Sequence, residues 1–397
     1  MKNASESFKE QVKNGVRASE IYLTIGSKRL TSEEIESLEY KAESNKELGT
    51  IEIELLRAKV LKSAIPAGSF NTNEQVSVEI EVNGEICELC SLTINLWKKA
   101  DKSLFVEIEA TSSFVYERNV PFIATKENIT ASAFIKEVMG TIGESCRFNG
   151  LDQRLNVAML SGNQLIDTLK LLAISTQSVI RYRDTLEFIP FKGSTAAESV
   201  NYENMLLDTK DGSDKQAEFD KVNIMVYMPN KSDQKEIGKF EKATVPNGSS
   251  SFNLGTLKFD KPKLVSVISF DNDVDISEFS ISSDKVTLAI RNGKSQTIDV
   301  NTKIEGYDLL DNSLTSSEDT TNKIKNVQNI YIQDKDVISS YDTRIYTNPS
   351  VEVQYRGNPI LEVGDTISIE EIGDVLICEH VLKFDGALSG EIKGVIL

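Results

Sequence analysis

Four cysteines and a single histidine are the side chains with the most distinctive chemistry in this 397-residue sequence. Cys87 and Cys90 have the CxxC spacing of a zinc or redox pair, because two thiolates three residues apart can bind one metal ion. The sequence contains no second CxxC pair, and His380 is the only histidine that could complete a four-ligand site. We interpret the segment as a strand that carries two reduced thiols, with metal or redox chemistry as the alternative.

Cys378 and His380 form a second candidate pair. In a strand, residues two apart share a face, so a thiol and an imidazole at this spacing could act as nucleophile and base. Such a site also needs a third group to orient the base and donors for an oxyanion, and the sequence identifies neither. We therefore predict a structural histidine.

Paired carboxylates occur at Glu33-Glu34 and at Glu370-Glu371. A glycosidase would need two carboxyl groups at a defined separation across a cleft, whereas adjacent acids in one chain are usually solvated. P-loop, Rossmann and HExxH motifs are also missing from the sequence. We predict no catalytic residues, no cofactor and no metal site, and we expect that the protein is not an enzyme.

Exposed aromatic side chains could instead bind a partner. Trp97 follows a predicted strand, where an indole either docks a protein or sugar or covers the rim of a barrel. Tyr341, Tyr346 and Tyr355 could mark a contact between subunits, because aromatic residues are enriched at interfaces. With eleven tyrosines in the chain, that signal is weak.

Composition limits the class of protein. The 61 acidic and 44 basic residues give a net charge of −17, which argues against a surface that grips nucleic acid or anionic lipid. No apolar run approaches the roughly 18 residues of a membrane helix, and the first residues lack the apolar core of a signal peptide. The length allows two to four domains, and we expect cytoplasmic synthesis without a membrane span.

The first part of the chain has the alternation of β-strands. Residues 1–19 are polar with a weak helical pattern, which predicts a short helix or a mobile arm. Asn83-Gly84 is a strong hairpin turn. Five strands in under 100 residues predict a sandwich or barrel over residues 20–117. The segments with period-two alternation or many β-branched residues are 21–25, 49–55, 75–82, 86–96 and 104–109.

After Pro121 the hydrophobic period changes to that of helices. One helix follows from the apolar residues between 131 and 142, and a second, with Asn163 as its predicted N-cap, follows from those between 165 and 173. Strands at 179–182 and 186–189 complete an α+β module over residues 118–195. We expect both apolar stripes to pack in a core.

Residues 236–325 are predicted as an inserted β domain. The polar segment 230–251 is typical of a loop or interdomain crossing, and Asn292-Gly293 is a predicted hairpin turn. We predict that this insertion separates a strand near 226 from its sheet partners near 353.

The sequence motifs that are most specific for a protein family lie at the C-terminal end. Gly357-Asn358-Pro359 leads into Leu361-Glu362-Val363-Gly364-Asp365, and the segment 384–390 reads FDGALSG. Glycine, proline and Asp-Gly pairs at these places predict tight turns between strands. These motifs resemble the last domain of bacteriophage tail hub proteins. This family comprises the tail-associated (Tal-like) proteins, which are similar to the central baseplate hub of contractile particles.

The resemblance implies an α+β, mainly β fold with two barrel-like domains that form a ring in a homotrimer. The barrels correspond to 20–117 and to 196–235 with 326–397, the α+β domain to 118–195 and the inserted β domain to 236–325. Three subunits would match the six-fold tail tube, provided that the two β modules have the same topology. We predict the segments 351–369 and 384–390 as ring-forming.

The resemblance also implies partners and a location. These are the tail tube or distal tail protein, a central spike or fibre protein and the tape measure protein, at the tail tip or baseplate of a virion assembled in the bacterial cytoplasm. DNA would pass through the lumen without specific binding, along a wall that an acidic subunit could make repulsive. Two alternatives are a tail-associated cell-wall hydrolase, whose additional domain we expect to be absent after Leu397, and a receptor- or carbohydrate-binding tail protein.

Overall fold

The structure is a computed structural model. It describes residues 2, 4–14, 17–44, 51–65, 71–99, 103–112, 114, 116–183, 185–190, 198–201, 219–228, 234–309 and 323–397, and the backbone of 206–210 and 313–314. The helices are α1 (Glu6–Lys13), α2 (Ala131–Thr141), α3 (Leu165–Ser175), α4 (Lys335–Ile338) and α5 (Arg344–Thr347), with a 3₁₀ turn at Lys62–Ala64.

Twenty-nine strands are found in the described residues. They are β1 (Ser19–Ile25), β2 (Lys28–Leu30), β3 (Ile35–Glu43), β4 (Ile53–Leu61), β5 (Gln75–Val82), β6 (Glu85–Lys99), β7 (Phe105–Thr111), β8 (Lys126–Thr130), β9 (Cys146–Phe148), β10 (Arg154–Ala158), β11 (Ser178–Tyr182), β12 (Leu186–Pro190), β13 (Glu198–Val200), β14 (Leu206–Lys210), β15 (Lys221–Met225), β16 (Lys235–Gly238), β17 (Ala243–Val245), β18 (Phe252–Lys258), β19 (Lys263–Phe270), β20 (Asp275–Ile281), β21 (Lys285–Arg291), β22 (Ile298–Val300), β23 (Thr302–Asp308), β24 (Ser313–Leu314), β25 (Ile324–Gln328), β26 (Ser350–Tyr355), β27 (Thr366–Ile369), β28 (Gly373–Phe384) and β29 (Leu388–Ile396). The predicted α+β, mainly β fold class is confirmed.

A single sheet of 13 strands contains strands from both predicted barrel domains, while β15 belongs to a separate sheet with β24 and β25. The order of the large sheet is β14-β26-β29-β28-β3-β4-β7-β6-β5-β1-β2, and β27 joins β28 to β13. The sheet forms because these strands alternate apolar and polar residues, so that one face can be buried while the other meets water. The buried pattern of β5, in which every second residue from Val76 to Val82 is inaccessible, is an example.

Ten of the 13 strands form two copies of one five-strand arrangement. In the first copy β3 pairs with β4, β4 with β7, β7 with β6, and β6 with β5. In the second copy β14 pairs with β26, β26 with β29, β29 with β28, and β28 with β27. All eight pairings are antiparallel, and chain order matches strand by strand. The copies differ beyond this point, since β1 runs antiparallel to β5 but β13 runs parallel to β27.

The N-terminal segment forms a helix rather than a mobile arm. The hydroxyl of Ser5 accepts a hydrogen bond from the backbone N–H of Phe8, which caps α1. Phe8 and Val12, one helical turn apart, are fully buried in the core of the large sheet. The Nζ of Lys13 lies 3.0 Å from the Oε2 of Glu198 on β13, and the Ser7 hydroxyl donates to Glu85 of β6 at 2.9 Å, so α1 connects the first copy to the strand that pairs with β27.

The predicted α+β module has its own core. The apolar faces of α2 and α3 are buried as their periodicity predicts, and the sheet β11-β12-β9 packs with them. The predicted cap at Asn163 is wrong, because Gln164 is the N-cap residue of α3 and makes no side-chain cap. Asn163 instead donates a hydrogen bond from Nδ2 to the carbonyl oxygen of Ser277 at 3.0 Å, and it therefore ties this module to β20.

Three predictions about the insertion need correction. The segment 230–251 contains two strands, β16 and β17, rather than only a loop. Asn292-Gly293 does not close a hairpin, because β22 pairs with β17 and the Asn292 side chain is buried. The strand near 226, β15, pairs with β24 and β25. The strand that precedes the insertion and joins β26 is β14, whose sequence is too polar to indicate a central strand.

Close backbone contacts explain the glycines of the C-terminal motif. Gly357 has φ +81°, and a Cβ added at Gly390 would lie 2.8 Å from the Gly357 Cα and 2.4 Å from the ring of Tyr355. Only glycine fits at both places, because any side chain would collide with the opposite backbone. Asp385-Gly386 lies in the β28–β29 hairpin, as predicted.

Candidate functional site: the junction of the two sheet copies

The two copies of the five-strand arrangement are joined within the chain by β28 and β3. They pair antiparallel from Glu379 opposite Glu43 to Phe384 opposite Leu38. We call this pairing the junction. On its inner face Leu38, Phe384 and Leu382 are buried, and they belong to one hydrophobic core with residues from both copies. The predicted ring-forming segment 384–390 therefore begins at a contact between the two copies inside one subunit.

The outer face of the junction is charged with alternating sign. Along one line across four strands, Glu109, Arg57, Glu39 and Lys383 lie opposite one another in register. Arg57 lies 3.2 Å from Glu109 and 3.9 Å from Glu39, which lies 3.9 Å from Lys383. Opposite charges on facing residues stabilise a sheet modestly, and the charged side chains keep this face in water.

A second line of charges crosses the same face. Lys41 of β3 lies 3.4 Å from Glu379 of β28, and Lys393 of β29 lies 3.0 Å from the same glutamate. On this face β3, β4, β7, β28 and β29 carry acids and bases in similar numbers. The acids include Glu36, Glu39, Glu43, Glu107, Glu109, Glu379 and Glu391, and the bases include Lys41, Arg57, Lys59, Lys383 and Lys393. The acidic excess of the whole chain is therefore not concentrated here.

A concave region of ≈ 540 Å³ lies at this junction. Its lining includes Glu39, Arg57, Glu109, Lys383 and Phe384. Eight of the fourteen lining residues are charged, whereas small-molecule sites usually contain only a few placed polar groups.

The strand that corresponds to β28 in the first copy is β6. β28 has β27 along its first part and β3 along its last part on one edge. The ladder of β5 on β6 ends at Thr93, while β6 itself continues to Lys99. Trp97 lies in this last part, half-buried, and its indole N–H donates to the carbonyl oxygen of Asn71 at 2.8 Å. The rim position predicted as one alternative for Trp97 agrees with this geometry, and docking of a partner stays a prediction.

The thiols of Cys87 and Cys90 lie in the core. A bulge between Val78 and Glu79 in the β5–β6 register gives β6 one extra residue, Leu89. The extra residue turns both cysteines towards the buried face, although residues three apart in a regular strand point to opposite faces. Burial raises the pKa of both thiols. All four cysteines are free.

His380 is buried beside Tyr355 rather than beside a nucleophile. Its Nε2 lies 2.6 Å from the hydroxyl of Tyr355, which also accepts a hydrogen bond from the backbone N–H of Asn358. Burial lowers the pKa of His380 to about 3, so the imidazole is neutral. The Sγ of Cys378 contacts the carbonyl oxygen of Leu376, since a bulge between Ile377 and Glu379 interrupts the strand.

The two carboxylate pairs and the three tyrosines singled out in the sequence lie at different places in the structure. Glu33-Glu34 and Glu370-Glu371 lie in turns, before β3 and after β27. Tyr346 and Tyr355 are buried within the subunit, and Tyr341 donates to the carbonyl oxygen of Ser175. Among the residues that the structure describes, no group of three or more His, Cys, Asp or Glu side chains is placed to hold a metal ion. No described helix is long and apolar enough to cross a membrane.

Sequence reasoning missed a buried group of ionised side chains. Arg181 of β11 and Arg183, which follows this strand, both form ion pairs with Glu362 of the C-terminal motif. The only sequence signal is that two arginines alternate with the apolar residues of a buried strand.

Together these features define a mainly β α+β protein whose principal sheet is built from two like-ordered copies. No protein-family model matches the sequence, and no curated protein matches it either. Solved structures do match. The 43 kDa tail protein of prophage MuSo2 from Shewanella oneidensis has 10% sequence identity and a TM-score of 0.52, with 95% of this chain and 98% of that chain covered.

Two further structures are similar to this chain. The tail protein from Neisseria meningitidis MC58 has 8% identity and a TM-score of 0.47, with 95% and 96% of the two chains covered. The E. coli c3393 protein, a component of the type VI secretion system with structural similarity to the T4 bacteriophage tail proteins gp27 and gp5, has 9% identity and a TM-score of 0.40, with 94% and 76% covered. The predicted resemblance to phage tail proteins is confirmed at the level of the fold by the MuSo2 protein.

Proposed function

We propose that this protein is a non-enzymatic structural component of the tail of a phage or phage-tail-like particle, where it forms the hub of the baseplate or tail tip. The fold shared with a prophage tail protein supports this class of function. The observation that carries the hub role is the duplicated sheet, in which two copies of one five-strand arrangement lie side by side in a single subunit.

The duplication makes a closed ring possible. Inside the subunit, the last part of β28 in the second copy pairs with β3, the first strand of the first copy. The equivalent strands are β6 in the first copy and β14 in the second. If the same pairing is repeated between subunits, the last part of β6 pairs with β14 of the next subunit. Three subunits then supply six copies around one axis, which matches the six-fold symmetry of a tail tube.

Ring closure also gives the edge of the sheet a partner. A strand at the edge of a sheet has backbone donors and acceptors that attract other strands, and proteins usually cover or pair such edges. β14 is the terminal strand on its side of the large sheet in the described residues. Pairing it within a closed trimer prevents open-ended association.

In this arrangement the charged face lines the lumen, and the apolar face stays in the core that the two copies share. A wall of alternating acids and bases offers phosphate neither a continuous basic track nor aromatic stacking surfaces. DNA would pass along it without specific binding. The wall carries both acids and bases rather than acids alone. It would therefore bind DNA only weakly, and it would not repel DNA strongly.

The partners that fit this role meet the two ends of the ring. The tail tube or distal tail protein would contact one end, a central spike or fibre protein the other, and the tape measure protein the lumen. The place of action would be the tail tip or baseplate, after assembly in the bacterial cytoplasm.

Mass measurement of the purified protein tests the ring. The subunit mass is 44.1 kDa, so a trimer has a mass of about 132 kDa, three times that value. We expect this species by light scattering or native mass spectrometry, alone or with the tube and spike proteins, and a ring with a central hole by electron microscopy. A protein that stays monomeric with all of these partners would overturn the hub.

Zymography on peptidoglycan tests the non-enzymatic assignment separately. We expect no cleared band. A band that disappears when one acidic or thiol residue is replaced would show that the protein is a cell-wall hydrolase.

A further inference from the structure

A buried cluster of charged side chains lies where three modules of the subunit meet. Arg183, the residue that follows β11, donates from Nη1 to the Oε2 of Glu54 on β4 at 2.8 Å, and from Nη2 to the Oε1 of Glu362 at 3.1 Å. Arg181 donates to the other oxygen of Glu362 at 2.5 Å. β4 belongs to the first sheet copy, β11 to the α+β module, and Glu362 to the second copy. We call these residues, together with Glu52, the clasp.

The backbone fixes the position of the clasp. The N–H of Glu52 donates to the carbonyl oxygen of Ile180 on β11 at 2.7 Å, and Ile51 forms an isolated parallel bridge with Ile180. On the other side, the hydroxyl of Tyr40 on β3 donates to the Oε1 of Glu54 at 2.5 Å. The beginning of β4 is thus attached directly to the α+β module at this point.

The charges in the clasp do not balance. Two guanidinium groups face three buried carboxylates, those of Glu52, Glu54 and Glu362, and Arg181 also pairs at 3.0 Å with the partly buried carboxylate of Glu187. The side chain of Glu52 is 1% exposed, and its closest cation is the Nη2 of Arg183, 3.5 Å from Oε2. Neither of its oxygens accepts a hydrogen bond from any described residue, and the same holds for the buried hydroxyl of Tyr116. An ionised carboxylate in such a site is costly, since buried charges need both a partner and hydrogen bonds.

We propose that Glu52 is a proton-controlled latch between the first sheet copy and the α+β module. When Glu52 is neutral, the two arginines are matched by Glu54 and Glu362, and the contact between β4 and β11 is closed. When Glu52 loses its proton, a third negative charge remains in the buried site, and the contact between Glu52 and Ile180 opens more readily. All groups of the latch belong to one subunit, so it operates whether or not the ring forms.

The surroundings set the pH at which the latch acts. Burial raises the pKa of Glu52 to about 7, against the opposing charge of Arg183 and with the help of Glu54 and Glu362. The titratable and charged groups that face it are Arg181, Arg183, Glu54, Glu362, Tyr40 and Tyr116. Because the pKa is higher in the folded than in the unfolded chain, the stabilisation is complete below about 4.5 and is lost as the pH rises through about 7.

Hydrogen–deuterium exchange of the wild-type protein, corrected for the intrinsic effect of pH, tests the latch. We expect protection of 51–55 and 179–183 to fall about tenfold between pH 6 and pH 8.5, the change that one group with this pKa produces. In Glu52→Gln the side chain is permanently neutral, so protection in both segments should not change with pH. Glu33→Gln, in an exposed turn, is the matched control and should keep the wild-type response.

Two outcomes would overturn the proposal. One is wild-type protection in these segments that is the same at both pH values, and the other is a pH response in Glu52→Gln equal to that of the wild type. The pH dependence of wild-type protection can be measured without a variant, so it tests the proposal even if Glu52→Gln does not fold. A monomeric protein that shows the expected pH response would reject the ring and keep the latch.

Discussion

Phe384 of β28 lies directly opposite Leu38 of β3, and this pair is the last rung of the ladder that joins the two sheet copies. Both side chains are buried in the core that the two copies share. The two copies are therefore joined by one continuous sheet. This continuity makes the junction a testable determinant of stability.

Replacing Phe384 by alanine should destabilise the subunit by about 3 kcal/mol, since it removes a large buried side chain and leaves a cavity. The neighbouring Lys383 supplies the matched control, because its side chain is 51% exposed and its ion pair with Glu39 is 3.9 Å long. Lys383→Ala should change the free energy of unfolding by less than about 1 kcal/mol. Urea denaturation measures both, and equal losses would mean that the junction does not contribute more than an exposed position.

The close approach of Gly390 to Gly357 gives a second prediction. A methyl group at residue 390 would collide with the Gly357 backbone and the Tyr355 ring, so Gly390→Ala should lower the melting temperature by several degrees. Gly140 in α2 has nothing within 4 Å of an added Cβ, and alanine favours helices. Gly140→Ala should therefore leave the melting temperature unchanged or raise it. A harmless Gly390→Ala would mean that the two strands are not in this contact.

Glu362 bridges two arginines from a different module, so replacing this one carboxylate by an amide should lower the free energy of unfolding strongly. Its pKa is lowered to about 2, because the attraction of Arg181 and Arg183 outweighs the effect of burial. Glu362→Gln removes the one carboxylate that accepts hydrogen bonds from both guanidinium groups, and breaking this buried pair should cost about 3 kcal/mol or more. The same substitution at the exposed Glu33 should cost nothing measurable. Denaturation at pH 7 compares the two variants, and equal stabilities would contradict the bridging role.

The sequence predicts those parts of the fold that local patterns determine. Alternation predicts β1, β5, β6, β7 and the beginning of β4 but misses β3, and Asn83-Gly84 closes the β5–β6 hairpin as expected. The three- and four-residue spacing of apolar side chains predicts the buried face of α2. In each case the residues that make the structure are close together in the chain.

Local patterns fail where distant residues decide. Arg181 and Glu362 are 181 residues apart, and neither has neighbours that indicate a buried ion pair. Asn163 resembles a helix cap, but contacts with β20 determine its orientation. The inward direction of both Cys87 and Cys90 depends on a bulge opposite β5, which no spacing rule predicts. The sequence predicts the segment 384–390 as part of the site but not its pairing with another strand. That pairing is with β3, in which Leu38 lies opposite Phe384 and is far away in the sequence.

The single histidine offers a direct spectroscopic test of the core of the second copy. Because burial lowers the pKa of His380 to about 3, stability is complete above the ordinary value of 6.5 and is lost as the pH falls towards 3. The one imidazole Cε1–H NMR signal should keep its neutral chemical shift down to about pH 4.5. In urea the same signal should titrate near 6.5. Titration near 6.5 in the folded protein would show that His380 is accessible to solvent.

The only tryptophan of the chain provides a test of ring closure that does not depend on mass alone. Trp97 is half-buried in the part of β6 that corresponds to the paired part of β28, so a neighbouring subunit should cover it. Its emission should shift to shorter wavelength as the protein is concentrated from the monomer to the trimer, because the indole loses contact with water. Trp97→Phe should assemble like the wild type, whereas Trp97→Asp should weaken the trimer at least tenfold by placing a charge in the contact. Light scattering measures assembly alongside fluorescence. A trimer that forms with unchanged Trp97 emission, and equally well with aspartate, would place the contact between subunits elsewhere.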